Sequence, residues 1–235
     1  MAGRPPLLLL PGLLCDEALW APQIDALAEQ ADMRVADLTR DDSVKAMAKR
    51  ALDAAPGRFA LAGLSMGGYV ALEIVATAPE RVERLALLDT SGRADTPEQL
   101  RRRQGLIALA GRGEFKGVTP RLLPMLIHPA RIQDQALTGI VTGMAERVGK
   151  DAFLRQQQAI MGRPDRRPLL SKIQVPTLVL CGSEDALTPV ELSREMAAGI
   201  ANSRLTLVPD CGHLSTLERP ESVNVALRRW LAEEA

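Results

Sequence analysis

Six short apolar runs recur along the chain with helical patterns between them, and this alternation restricts the fold more than any other feature. The runs are Leu7–Leu10, Met33–Leu38, Arg58–Leu64, Arg84–Thr90, Thr177–Gly182 and Arg204–Pro209. Helical periodicity appears at Leu19–Glu29, Val44–Ala54, Met66–Ala78, Val190–Ala198 and Glu221–Leu231. Strands that alternate with such helices form βαβ units, and those units build a parallel sheet covered on both faces. Local chemistry supports several boundaries. Ser43 suits the N-cap of the second helix, Pro189 suits the first turn of the helix it opens, and Pro79 ends the helix that starts at Met66.

Residues 92–170 depart from this pattern. They hold no good strand, but helical patterns at Thr96–Ala110, Arg121–Ile127, Ala136–Val148 and Ala152–Met161. Gly111, Gly113, Gly117, Pro120, Pro124 and Pro129 punctuate them. At 235 residues the chain suits one large α/β domain. The expected organisation is a core of residues 1–91 and 171–235, with residues 92–170 inserted after the fourth strand as a helical lid.

Charge and composition narrow the partners. Lys plus Arg and Asp plus Glu both number 29, so the formal net charge is zero and nothing favours nucleic acid or an anionic membrane. Aromatics are only 3% of residues, which argues against a carbohydrate platform or a base-stacking surface. The early apolar run Leu7–Leu10 is too short to span a bilayer, and Pro11-Gly12 interrupts it. It reads as a buried strand rather than a targeting segment. Three cysteines at irregular spacing form neither a disulfide framework nor a zinc pattern, so a reducing, cytoplasmic location is the default. Pairing of Cys181 with Cys211 stays open. A monomer or homodimer acting on a small molecule is expected.

Gly63-Leu64-Ser65-Met66-Gly67 matches G-x-S-x-G and falls between a strand-like run and a helical one. That context turns a common motif into a specific one, because small flanking residues permit a sharp strand-to-helix turn with an exposed, strained serine. At a helix N-terminus, backbone N–H groups and the dipole favour developing negative charge. A serine hydroxyl is a poor nucleophile at neutral pH and needs a base. Only two histidines are present. His213 follows the last strand-like run, in a loop expected at the carboxyl edge of the sheet beside Ser65. His128 sits inside the insertion, where a structural or lid-lining role fits better. The imidazole needs an acid to fix its tautomer. Asp185 follows the fifth run at the same edge, and Asp89, closing the fourth, is a second contender. Asp210 is too close to His213 in sequence and suits a turn. The oxyanion needs backbone donors. Met66 supplies one, and Leu13, after the first strand, supplies the other, with Leu14 the remaining candidate.

Taken together, Leu7–Leu14, Gly63–Gly68, Gly182–Asp185 with Leu187-Thr188-Pro189, and Gly212-His213 resemble the α/β-hydrolase superfamily over almost the whole chain. The nearest likeness is to the small carboxylesterase, lactonase and pimeloyl-carrier-protein methyl ester esterase branch. The resemblance implies ester hydrolysis through an acyl-enzyme, with Ser65, His213 and Asp185 as triad and with no metal or organic cofactor. Many members carry His-Gly where this chain has Pro11-Gly12. About six parallel strands with no antiparallel edge are expected. A serine at residue 65 speaks against the branches that use an aspartate nucleophile. Leu14, Trp20, Met125, Met144, Leu187 and Leu214 are candidate pocket residues. Ordinary packing is the competing role for the insertion's methionines and for Trp20. The expected substrate is a carboxylic ester of small to medium size. The same three residues also serve thioesterases, lactonases, carbon–carbon bond hydrolases and lyases, and a slow-turnover ligand receptor is the alternative from another class.

Overall fold

In the computed structural model, which describes residues 4–55 and 57–233, six strands form one sheet. They are β1 (Pro6–Leu10), β2 (Asp32–Val35), β3 (Phe59–Leu64), β4 (Val82–Leu88), β5 (Thr177–Gly182) and β6 (Ser203–Val208). Their order is β2-β1-β3-β4-β5-β6, and every neighbouring pair is parallel. The strand order reverses beside β1, so β1 and β3 border the crevice where α/β sheets bind ligands.

Alternation along the strands divides the core into two layers. Leu7, Leu9, Ala62 and Leu180 face one side, against Leu27 of α1 (Ala21–Leu27) and Leu227 and Trp230 of α10 (Pro220–Ala232). Leu8, Leu10, Leu61 and Val179 face the other. There they meet Met47 of α2 (Val44–Ala54), Val70 and Ile74 of α3 (Met66–Thr77) and Met196 of α8 (Val190–Gly199). Because both faces are covered, β3 and β5 are buried at every residue and carry no polar alternation.

Between β4 and β5 lie α4 (Pro97–Leu109), α5 (Leu123–Leu126), α6 (Gln135–Met161) and α7 (Arg167–Leu170). A capping box of Thr96 and Gln99 starts α4. The two helical patterns expected over residues 136–161 join as α6, which Gly149 kinks with φ 76° and ψ 176°.

Other departures from the sequence reading have local causes. The helix expected from Leu19 splits into a 3₁₀ turn, Glu17–Trp20, and α1, whose first turn contains Pro22. Proline lacks the N–H needed to continue the earlier turn. Strand β2 stops at Val35 rather than Leu38 because the Asp37 carboxylate accepts from Thr39 N–H, at 3.0 Å, and from Arg40, turning the chain away. The helix expected over residues 121–127 shortens to α5. A four-residue helix, α9 (Ser215–Glu218), was not expected. All three cysteines are buried with free thiols, so Cys181 and Cys211 are not bonded to each other. Among the described residues no helix is long and apolar enough to cross a membrane.

Candidate active site

Ser65 directly follows β3 and precedes the first residue of α3, with φ 55° and ψ −115°. A positive φ is rare for a serine and persists only where the surroundings enforce it. Here its N–H donates to the Leu88 carbonyl at 3.0 Å, and Thr90 Oγ1 donates to its carbonyl at 2.7 Å. A Cβ on Gly67 would overlap the Leu10 carbonyl oxygen, so only glycine lets the elbow approach β1 this closely. Met66 N–H opens the helix and has no intrahelical acceptor, which leaves it available to an anion.

His213 comes from the far edge of the sheet. Its loop leaves β6 and folds back over two strands until Ser215 Oγ donates to the Asp89 carboxylate at the end of β4. This brings the imidazole to the carboxyl ends of β4 and β5, on the same sheet edge at which β3 ends in Ser65. The loop is stitched to the one after β5: Glu184 N–H donates to the Cys211 carbonyl and Cys211 N–H to the Glu184 carboxylate, both at 2.9 Å. From the β4–β5 segment, Leu126 accepts from Leu214 N–H at 3.0 Å, and His128 N–H donates to Glu218 at 2.7 Å. His128 therefore has a structural place, and Asp210, with φ 49°, turns the chain ahead of His213.

Asp185 is fixed before the histidine meets it. Its Oδ1 accepts from Leu187 N–H at 2.8 Å and Thr188 N–H at 2.9 Å, while Thr188 Oγ1 donates to Oδ2 at 2.6 Å. The same Oδ2 lies 2.8 Å from His213 Nδ1. With Asp185 ionised, Nδ1 is the donor, which leaves Nε2 free as a base. Ser65 Oγ makes no hydrogen bond to His213 within 3.5 Å in this structure. In substrate-free enzymes such bonds are commonly long and tighten on binding.

Asp185 and His213 are both buried, and their pKa values move apart. Burial pushes the Asp185 carboxyl up, but the His213 charge and hydrogen bonds from His213 and Thr188 outweigh it and hold the acid below its usual range. Burial alone would lower His213. The Asp185 charge and hydrogen bond, with Asp89 and Glu218 further off, raise it above 6.5 instead. Asp89 is driven well above the usual carboxylate range by burial and by the Asp185 charge. Its oxygens take Gly182 N–H, at 2.9 Å, and Ser215 Oγ, so it supports the histidine loop while Asp185 faces the ring. Asp89, Cys181 and Asp185 also present ligand atoms within 4.8 Å of one another. Both carboxylates are already engaged, and burial raises the Cys181 thiol, so the group is a poor metal cage.

The loop after β1 lies over Ser65, since a Cβ built on Gly12 would be 3.5 Å from that of Ser65. Leu13 N–H has no partner among the described residues. Leu14 N–H is already given to Gln156 Oε1 at 3.0 Å, which removes it as an oxyanion donor. As a side chain Leu14 packs with Ala110, Ala145 and Phe153, next to Phe115. Trp20 and Met144, expected along the pocket, are both completely buried in the core and make no open wall. Leu214 is buried in the same cluster, while Met125 and Leu187 are partly exposed.

Comparison with known proteins agrees with this architecture. Residues 7–226 match the profile of the alpha/beta hydrolase family. The chain belongs to that family. A Mycobacterium tuberculosis protein provisionally named as the non-heme bromoperoxidase BpoC is 31% identical over 192 residues, 77% of this chain and 70% of its own. A pimeloyl-acyl-carrier-protein methyl ester esterase of Nitrosomonas europaea is 26% identical over 231 residues, 92% of each chain. Among solved structures, a malate-bound thermophilic esterase of Thermogutta terrifontis superposes with a TM-score of 0.87 at 29% identity, covering 98% of this chain and 90% of that one. The protein is a hydrolase, and its relatives include esterases.

Ser215, Thr90 and Gln156 were not singled out from the sequence, and Thr188 entered only as part of a matching segment, with no role of its own. A signal existed for Thr188, because Asp185-Ala-Leu-Thr188 places a threonine where an aspartate-closed turn bonds it. Gln156 had none: it is 142 residues from Leu14 in the chain.

Proposed function

We propose that the hydrolase is a serine esterase that works through an acyl-enzyme. The observation that carries this reading is the 2.8 Å bond from buried His213 Nδ1 to Asp185, at the sheet edge that also holds the strained Ser65. In this scheme Ser65 Oγ attacks the ester carbonyl while His213 Nε2 takes its proton. The Leu13 and Met66 amides hold the oxyanion. His213 then protonates the leaving alcohol, and water attacks the acyl-enzyme with the same base. Residues 92–170 act as a lid, whose apolar side chains around Leu14, Phe115 and Phe153 favour an acyl or alkyl ester of small to medium size. The similarity to proteins named as esterases supports the ester over other acyl compounds.

The test is steady-state hydrolysis of p-nitrophenyl esters of short and medium chain length. Rapid multiple turnover is expected. A single slow turnover, with tight ligand binding, would instead favour a receptor of this fold.

The same assay gives a pH dependence. His213 must be neutral to accept the serine proton, and its pKa is raised above 6.5. kcat/KM therefore falls as pH drops, along a limb centred above 6.5 rather than below it. A profile flat from about pH 5 to 8 contradicts His213 as the base.

A further inference from the structure

We propose that Gln156, on the part of α6 beyond the Gly149 kink, is the positioning residue of the oxyanion loop. Residues Gly12 to Cys15 form a tight turn, closed by Cys15 N–H on the Gly12 carbonyl at 3.2 Å. Leu14, its third residue, has φ 58°, while Leu13 does not share the positive φ. That combination belongs to a type II turn, whose third residue is normally glycine. Leucine is strained there and stays only because something holds it.

Gln156 is what holds it. Its side chain is completely buried, and its Oε1 accepts from Leu14 N–H at 3.0 Å. Its Nε2 donates to the Leu38 carbonyl at 3.1 Å, beyond β2. An acceptor need on one side and a donor need on the other fix the amide in one orientation. The bond also fixes the peptide between Leu13 and Leu14. Without it that peptide is free to turn over, which relieves Leu14 and lets the adjoining Leu13 amide drift from Ser65. An inserted helix thus sets the position of a group that acts on the transition state, besides covering it. The neighbouring Arg155 anchors the same helix through Nε to the Thr39 carbonyl at 2.9 Å, without touching the turn.

The inference rests on Ser65 as nucleophile and Leu13 and Met66 as donors. The test compares Gln156→Leu, Gln156→Glu and Arg155→Ala by kcat, KM, thermal midpoint and affinity for a trifluoromethyl ketone. In that adduct Ser65 oxygen adds to the ketone carbon, its proton passes to His213, and the carbonyl oxygen becomes an oxyanion. Gln156→Leu is expected to lose about 30- to 100-fold in kcat, with KM within about threefold. Ketone affinity should fall by a matching factor. A buried glutamic acid stays neutral, accepts from Leu14 and donates to Leu38, so Gln156→Glu should remain within about fivefold of wild type. It also keeps the test intact where the leucine variant does not fold. Arg155→Ala should keep kcat within about twofold while shifting the thermal midpoint.

An active wild type whose Gln156→Leu variant keeps kcat and ketone affinity overturns the inference alone. So does a loss equal to that of Arg155→Ala, or failure of Gln156→Glu to recover activity. A wild type that neither hydrolyses esters nor binds the ketone removes the serine-esterase reading, and this inference with it.

Discussion

Ser65→Ala is expected to lower kcat for ester hydrolysis by about 10⁵- to 10⁶-fold, the loss seen when a serine nucleophile is removed from a working triad. The remaining rate comes from substrate binding and the amide donors, which the substitution leaves in place. Stability should change by no more than about 1 kcal/mol, because Ser65 Oγ has no hydrogen-bond partner within 3.5 Å to leave unpaired. The backbone bonds to Leu88 and Thr90 hold the elbow whatever the side chain. kcat measured beside a urea unfolding curve checks both parts. Activity within about tenfold of wild type would contradict a nucleophilic role.

The second large effect is expected at Asp185. Asp185→Asn should lower kcat by about 10⁴-fold, roughly 5.5 kcal/mol of transition-state stabilisation. An asparagine Oδ1 still accepts from Leu187 and Thr188 N–H, so the loop keeps its shape. What changes is the other end. An amide NH₂ facing Nδ1 favours the tautomer with its proton on Nε2, which cannot act as base. The charge that raises His213 also disappears, and burial, which lowers the ring's pKa, then dominates. The acid limb of kcat/KM should accordingly move to lower pH than in wild type. Asp89 should move too, since the Asp185 charge is one cause of its elevation. An unchanged limb, or kcat near wild type, would leave Asp89 as the acid to examine.

The sheet was most legible at β3 and β5, which are apolar nearly throughout, and less so at β4, where Glu83 and Arg84 interrupt the run and the strand begins two residues earlier, at Val82. Phe59–Leu64 and Thr177–Gly182 have no polar residue whose side chain needs water, and both emerge at or within a residue of the expected bounds. Ser65 was legible because glycine is forced at residues 63 and 67 by backbone contacts, and such constraints leave a local signature. The pairing of Asp185 with His213 was inferred from their places at the sheet edge and from the family resemblance, and the 2.8 Å bond fits it. The edge strand β2 was harder to delimit, since half-exposed residues carry a weaker pattern. Gln156 and Ser215 were hidden because their side chains bond only to elements far away in sequence, Gln156 to Leu14 and Leu38 and Ser215 to Asp89. Trp20 and Met144 show the opposite limit. Trp20 follows the oxyanion loop and Met144 lies in the insertion, so both, being apolar, suited a pocket, but the same chemistry suits a core, and the core is where they lie.

The most direct measurement is intact mass after brief reaction with a p-nitrophenyl ester or a fluorophosphonate, followed by peptide mapping. The serine-esterase account predicts one acyl or phosphonyl group per chain, carried on Ser65 and absent from Ser65→Ala. Turnover without any adduct, or an adduct on another residue, would contradict it.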